Sequence, residues 1–230
     1  ISFGETTAAD IRATDIEIRE GRPHFDLVTP AGRAAVGLRI VGIHQVANAL
    51  AAAAAATALG ASIDQIAGAL STAELHSKWR MEIHELRNIV LINDAYNSSP
   101  ESAEAALRTL VLFAQERGGQ SWAFLGKMHE LGESSADRHA DIGTLASELG
   151  IDHLVCIGAP EYSANLAKSN AMAIHLCANK EAALQLTQEM RAGDVVLAKA
   201  SRAEKFEEIA QGIQSQIALL IAENKEEGER

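Results

Sequence analysis

The sequence predicts an α/β protein in which a Rossmann-like, mostly parallel sheet over residues 77–230 follows hairpin strands and two helices over residues 1–76. Three observations carry that prediction. From Lys78 onward, short β-branched runs alternate with helical stretches, the order that places helices over both faces of a parallel sheet. Before Lys78, apolar residues recur at every second position between Gly/Pro turns, as in antiparallel hairpins. The composition, 47% hydrophobic and 22% charged in 230 residues, is that of a chain with a packed core.

In the first region, Ile16 and Ile18, then Phe25 and Leu27, then Val36, Leu38 and Ile40 alternate, divided by Gly21-Arg22-Pro23 and Pro30-Ala31-Gly32. Gln45 to Leu59 is helical by its alanines, which have the best intrinsic propensity, and Gly60 stops it. Ser62 with Gln65 has the form of a capping box and opens a second helix through about Leu70. Hairpins and two helices lack a full sheet, so this region reads as the tail of a larger domain. Ile1 follows neither an initiator Met nor a leader, which reads as a piece of a longer protein.

In the second region the strands are expected at Ile89–Asp94, Ser121–Gly126, Leu154–Gly158, Ala173–Cys177 and Val195–Ala200. Helices are expected at Pro100–Arg117, Ala136–Leu149, Glu161–Lys168, Lys180–Arg191 and Ala203–Glu223. Glu223 to Arg230, mostly charged, reads as a solvated, frayed helix end.

Charge and motif absences exclude several functions. With 20 Lys+Arg against 31 Asp+Glu the net charge is −11, which opposes general nucleic-acid binding. Val46 to Leu59 is mostly alanine and too short to span a bilayer. Cys156 and Cys177 read as two buried, reduced thiols of a cytosolic protein. No G-x-G-x-x-G follows a strand, which disfavours a dinucleotide redox cofactor, and Ser121 to Met128 lacks the first glycine and final Ser/Thr of a P-loop.

Ligands of an open parallel sheet gather at the carboxyl ends of its strands. There the sequence places Asn93-Asp94-Ala95-Tyr96-Asn97-Ser98-Ser99-Pro100, Gly126-Lys127-Met128-His129-Glu130 and Lys199-Ala200-Ser201-Arg202. Ser99 before Pro100 is an N-cap and first-turn proline. Asp94 suits ribose hydroxyls, and Tyr96 and Asn97 a base or sugar, although turn chemistry alone also accounts for each taken singly. Lys199, Ser201 and Arg202 offer two cations and a hydroxyl to a carboxylate or phosphate. His129, Glu130 and His139 do not have metal-ligand spacing, and no metal ligand is expected.

These segments resemble the Mur ligases of peptidoglycan synthesis along almost the whole chain. Gly42 to Ala53 is similar to the family's G-x-H-N-x-x-N-A-L-A-A-A segment, and Lys78-Trp79-Arg80 to the arginine that opens its C-terminal domain. Asn93 to Ser102 resembles its D-x-Y-N-A-x-P-x-S loop, Leu125 to Gly132 with His139 the L-G-x-M-x-E-L-G stretch, and Lys199 to Arg202 the K-G-S-R. Gln45 stands at the place of an asparagine, and Ala200 at that of a glycine.

The resemblance implies a UDP-binding domain, a central P-loop ATPase domain and a C-terminal Rossmann-like domain, of which this chain would hold the end of the second and all of the third. It implies ATP with Mg2+, bound mainly upstream, and a cytoplasmic, monomeric enzyme. Its substrates would be UDP-N-acetylmuramoyl-tripeptide and D-Ala-D-Ala, joined through an acyl phosphate. Gln45 and Asn48 would contact the adenine side, Arg80 and Asp94 the nucleotide, and Tyr96 and Asn97 the base and ribose. Lys199, Ser201 and Arg202 would lie near the dipeptide or acyl phosphate, and a hinge would fall near Ser71 to Ser77. The alternatives are another Mur ligase, a folylpolyglutamate-type ligase, or a non-catalytic Rossmann-like binding domain.

Overall fold

The computed structural model describes residues 1–74, 77–166 and 171–228, with side chains as far as residue 219. The chain divides into two compact units, Ile1–His76 and Ser77–Arg230. Residues 75 and 76 of the expected hinge lie outside the described residues.

In the first unit β1 (Phe3–Gly4), β2 (Ile11–Arg19), β3 (Arg22–Thr29) and β4 (Gly32–Gly37) form one sheet in that order, with β1 parallel to β2 and the other pairs antiparallel. The β2–β3 register shifts between Thr14 and Glu17, around Asp15 at φ 55. That bulge changes which residues face inward: Ile11 and Ala13 are buried, whereas Ile16 and Ile18 are only half-buried. Helices α1 (Gln45–Ala58) and α2 (Ile63–Thr72) cover the sheet, with Val46, Leu50 and Ala53 meeting Phe25, Leu27 and Val36 in the core. Ser62 and Gln65 complete the capping box at the start of α2.

The second unit holds a sheet of β5 (Glu82–Leu86), β6 (Ile89–Asp94), β7 (Ser121–Leu125), β8 (His153–Ile157), β9 (Ala173–Cys177) and β10 (Val195–Lys199), in the order β5-β6-β10-β7-β8-β9. All neighbours are parallel except β5 with β6. Four helices accompany them: α3 (Pro100–Arg117), α4 (Ser135–Glu148), α5 (Lys180–Gln185) and α6 (Glu207–Gly228). The core gathers Trp122, Phe124, Val155, Val196, Phe206, Ile209 and Ile213. Each such side chain contributes roughly 1.5–3 kcal/mol by leaving water.

Differences from the expected elements have local causes. β5 has no strand signature in the sequence, since two of the five residues in Glu-Ile-His-Glu-Leu are glutamates, yet Arg87 and Asn88, both at positive φ, turn it tightly into β6. Around the expected helix Glu161–Lys168 there is one 3-10 turn, Pro160–Ser163, and residues 167 and 168 lie outside the described residues. The helix from Lys180 becomes a 3-10 turn at Leu186–Glu189. Near Ala203 a 3-10 turn and Lys205 at φ 50 precede α6, an interruption that lets Phe206 reach the core. α6 then runs to Gly228, five residues beyond the expected Glu223 and into the segment read as a helix end. Among the described residues no helix is long and apolar enough to cross a membrane.

This topology positions the candidate site. From β6 the chain crosses beyond the place of β10 to β7, proceeds outward to β9 and returns to the middle. The carboxyl ends of β6, β10 and β7 therefore lie side by side at a switch point, with Lys199 opposite both Asp94 and Leu125.

Candidate active site

Asp94 ends β6 and Lys199 ends β10. The Lys199 ammonium, its side chain 1% exposed, donates to Asp94 Oδ2 at 2.6 Å and to the Asn97 carbonyl at 2.9 Å. The other carboxylate oxygen accepts the Met81 amide at 3.1 Å. Removing two charges from water is unfavourable unless further hydrogen bonds surround the pair, and both partners have them. One ion pair thus ties the ends of two strands to the turn before β5.

Ser201 makes the next connection. Its hydroxyl accepts the His129 amide at 2.9 Å and donates to the Ser98 carbonyl at 3.2 Å, while its own amide donates to the Lys127 carbonyl. The loops after β6, β7 and β10 are therefore one hydrogen-bonded network. Gly126 is needed for this approach, because a Cβ there would stand 2.4 Å from the Phe206 ring and 2.8 Å from the Ala200 methyl. Ala200 itself has no positive φ and fills the space that the glycine leaves.

Arg80 sits in a strained turn, since Trp79 and Met81 on either side have φ of 62° and 48°. Glu82 Oε1 accepts the Trp79 amide, Asp94 accepts that of Met81, and the Trp79 carbonyl accepts the Tyr96 amide. The Arg80 guanidinium lies 4.1 Å from the centre of the Tyr96 ring, and that of Arg202 lies 4.4 Å from the Trp79 ring while pairing with Glu207. Such stacking contributes about 0.5–1 kcal/mol at exposed sites. It also holds both cations over aromatic faces at the rim.

The remaining candidates have other surroundings. His129 Nε2 is 2.6 Å from Glu204 Oε1, and His139 is buried against the Met128 amide. In the first unit, Asn48 donates to Gln45 Oε1 and the Gln45 amide meets His44 Nε2, on the first turn of α1. Cys156 is buried and Cys177 half-buried, and both are free thiols. Burial pushes the Cys156 thiol up to about 12, so the thiolate is suppressed. Among the described residues no three His, Cys, Asp or Glu side chains could hold a metal ion.

Family models match twice: the Mur ligase middle domain over residues 1–56 and the Mur ligase glutamate ligase domain over residues 79–202. The chain belongs to the Mur ligase family. It is 38% identical over 235 residues to the UDP-N-acetylmuramoyl-tripeptide--D-alanyl-D-alanine ligase of Mycobacterium tuberculosis, covering 93% of this chain and 46% of that one. The Escherichia coli ligase of the same name is 31% identical, over 90% of this chain and 45% of the other. A crystal structure of MurF from Acinetobacter baumannii superposes with a TM-score of 0.79 at 31% identity, covering 94% of this chain and 46% of that one. The chain spans about half the length of the curated relatives it matches.

Within this Mur ligase chain, Asp94 and Lys199 meet through their side chains, Asn97 joins them through its carbonyl, and Ser201 reaches the same loop through the Ser98 carbonyl. Tyr96 and Arg80 stack on each other beside them, and Arg202 lies on Trp79. Sequence reasoning missed Glu82, which fixes the Trp79 turn, and Tyr162, whose hydroxyl reaches the Gly126 carbonyl at 2.9 Å. Glu82 belongs to the strand that was not anticipated. Tyr162 sits in a turn without any motif, so only its burial reveals it.

Proposed function

We propose that this chain is part of an ATP-dependent ligase that joins D-Ala-D-Ala to UDP-N-acetylmuramoyl-tripeptide in peptidoglycan synthesis, as a cytoplasmic monomer. Residues 1–76 are then the C-terminal portion of the central ATP-binding domain, and residues 77–230 the C-terminal ligase domain. What carries the reading is the meeting of three chemistry-bearing loops at one rim, in a chain 38% identical to a ligase of that name.

The tripeptide carboxylate attacks the γ-phosphorus of ATP, releasing ADP and leaving an acyl phosphate. The dipeptide amine then attacks the acyl carbon, loses a proton and expels phosphate. Catalysis of both steps is mainly positioning and electrostatic stabilisation. Gln45 and Asn48 serve the adenine side, and Arg80, Asp94, Tyr96 and Asn97 the nucleotide. Arg80 has no carboxylate partner among the described residues and lies over the Tyr96 ring, which leaves its charge free for phosphate. Lys199, Ser201 and Arg202 face the dipeptide or acyl phosphate. Because two of the Lys199 donor bonds go to Asp94 and Asn97, Lys199 acts chiefly by holding the loop in place. Mg2+ finds no donor set among the described residues, and Asp94 is already taken by Lys199.

The test is phosphate release by the whole protein. It is expected to require D-Ala-D-Ala, and Arg80→Ala is expected to raise KM for ATP about tenfold or more, the loss of a charge-assisted contact. Release that proceeds equally well without the dipeptide, or with a single acidic amino acid instead, overturns the assignment. The 230-residue chain alone, without a P-loop, is expected to release none.

A further inference from the structure

His139 and the Gly126–Gly132 loop stand in one sequence motif that nucleotide contacts leave unexplained. Met128 N–H donates to His139 Nε2 at 2.9 Å, and His139 Nδ1 lies 2.6 Å from the Ser135 carbonyl. An amide N–H only donates and a carbonyl only accepts. Nε2 therefore carries the lone pair and Nδ1 the proton, which makes His139 a neutral imidazole in one tautomer. The ring is 1% exposed, with Tyr162 edge-on at 4.9 Å. Gly143, four residues after His139 on α4, admits that neighbour, since a Cβ there would fall 1.7 Å from the Tyr162 carbonyl oxygen.

Together with their neighbours these bonds hold the loop at each residue from Gly126 to His129. Gly126 donates to the Lys199 carbonyl and accepts from Tyr162, Lys127 accepts from Ser201, Met128 donates to His139, and His129 donates to Ser201. Lys127, His129 and Glu130 are exposed on this loop; His129 meets Glu204, whereas Lys127 has no carboxylate partner among the described residues. On the neighbouring strand end and loop, Lys199 and Arg202 are paired with Asp94 and Glu207.

We propose that His139 is a positioning residue for the rim site: by accepting the Met128 amide it fixes the loop that presents Lys127 to an oxyanion of a substrate. The oxyanion is either the carboxylate of the incoming amine or a phosphoryl group. This assignment of a substrate rests on the ligase reading, whereas the loop lock stands on geometry alone.

Two measurements test it: amide hydrogen exchange in this chain, and KM and kcat for each substrate in the whole protein. His139→Leu is expected to speed exchange at Met128 and His129 about tenfold, as expected when a local closing bond is lost, and to raise one substrate's KM more than it lowers kcat. His139→Gln, whose Oε1 reaches the place of Nε2, restores both. Lys127→Ala reproduces the KM change with exchange at the wild-type rate. A rise confined to the dipeptide identifies a carboxylate, and a rise confined to ATP a phosphoryl group. Should His139→Leu fail to fold, Tyr162→Phe, which removes only the bond to Gly126, shows a smaller rise in exchange. Equal behaviour of the Leu and Gln variants, or a wild-type KM in Lys127→Ala, overturns the proposal. A wild-type protein without ligase turnover overturns the ligase reading alone, and the exchange rates then decide the lock.

Discussion

The second sheet carries a buried aspartate at each rim, and the two are neutralised in different ways. Asp94, at the carboxyl rim, faces a cation: Lys199 approaches to 2.6 Å and the Met81 amide binds the other oxygen. Asp194, at the amino rim and 2% exposed, accepts among the described residues from neutral donors, the amides of Gln120 and Arg191 and the indole N–H of Trp122. Dipoles suffice where a carboxylate merely closes turns. A full charge is stationed where the strand ends must also assemble an anion-handling rim. The amino rim has a cavity of about 770 Å3 beside Trp122, His153 and Asp194, but its polar groups are tied to one another rather than held open.

The contrast breaks most visibly at Lys199. Lys199→Met leaves a buried carboxylate without its cation and is expected to lower stability by about 3–5 kcal/mol in urea unfolding. Adding Asp94→Asn recovers most of that loss. A double variant no more stable than the single one sinks the idea that charge pairing is what matters there. Asp194→Ala is expected to lose about 3 kcal/mol, since three donors lose their acceptor at ~1 kcal/mol each. Here no single second substitution rescues stability, because no one partner holds the charge. Rescue by a lone change at Trp122 would show that the two rims are built alike.

The smallest effect is one of pH and belongs to the amino rim. His153 stacks on Trp122 at 3.5 Å and meets His175 at 3.2 Å. Burial lowers the basicity of both, and His175 lowers that of His153 further, while Asp152, Glu189 and Asp194 oppose the shift. The fold therefore favours the neutral rings, and the unfolded chain binds protons first below about pH 6.5. Stability is expected to be complete above that pH and to fall as pH drops toward 5. His153→Gln flattens the profile. An unfolding midpoint that rises on acidification contradicts the sign.

Much of the rim was legible from the chain, because strand ends, N-caps and turn residues have local signatures. Asp94, Tyr96, Lys199 and Ser201 lie within four residues of the end of an apolar run, and Ser99-Pro100 starts α3 where a cap and a first-turn proline require it. Their partnerships were not legible. That Lys199 neutralises Asp94, 105 residues away, depends on β10 entering beside β6. That His139 accepts an amide, and that Tyr162 reaches Gly126, depends on packing between segments with no shared pattern.

Periodicity and turn chemistry act over a few residues, so the sequence by itself determined the division near Lys78, the alternation of strand and helix, and which residue types end each strand. Only the tertiary structure decided the strand order, the added edge strand and the pairing of buried groups. Those depend on which distant segments bury one another's apolar faces, and local propensity carries no information about that choice.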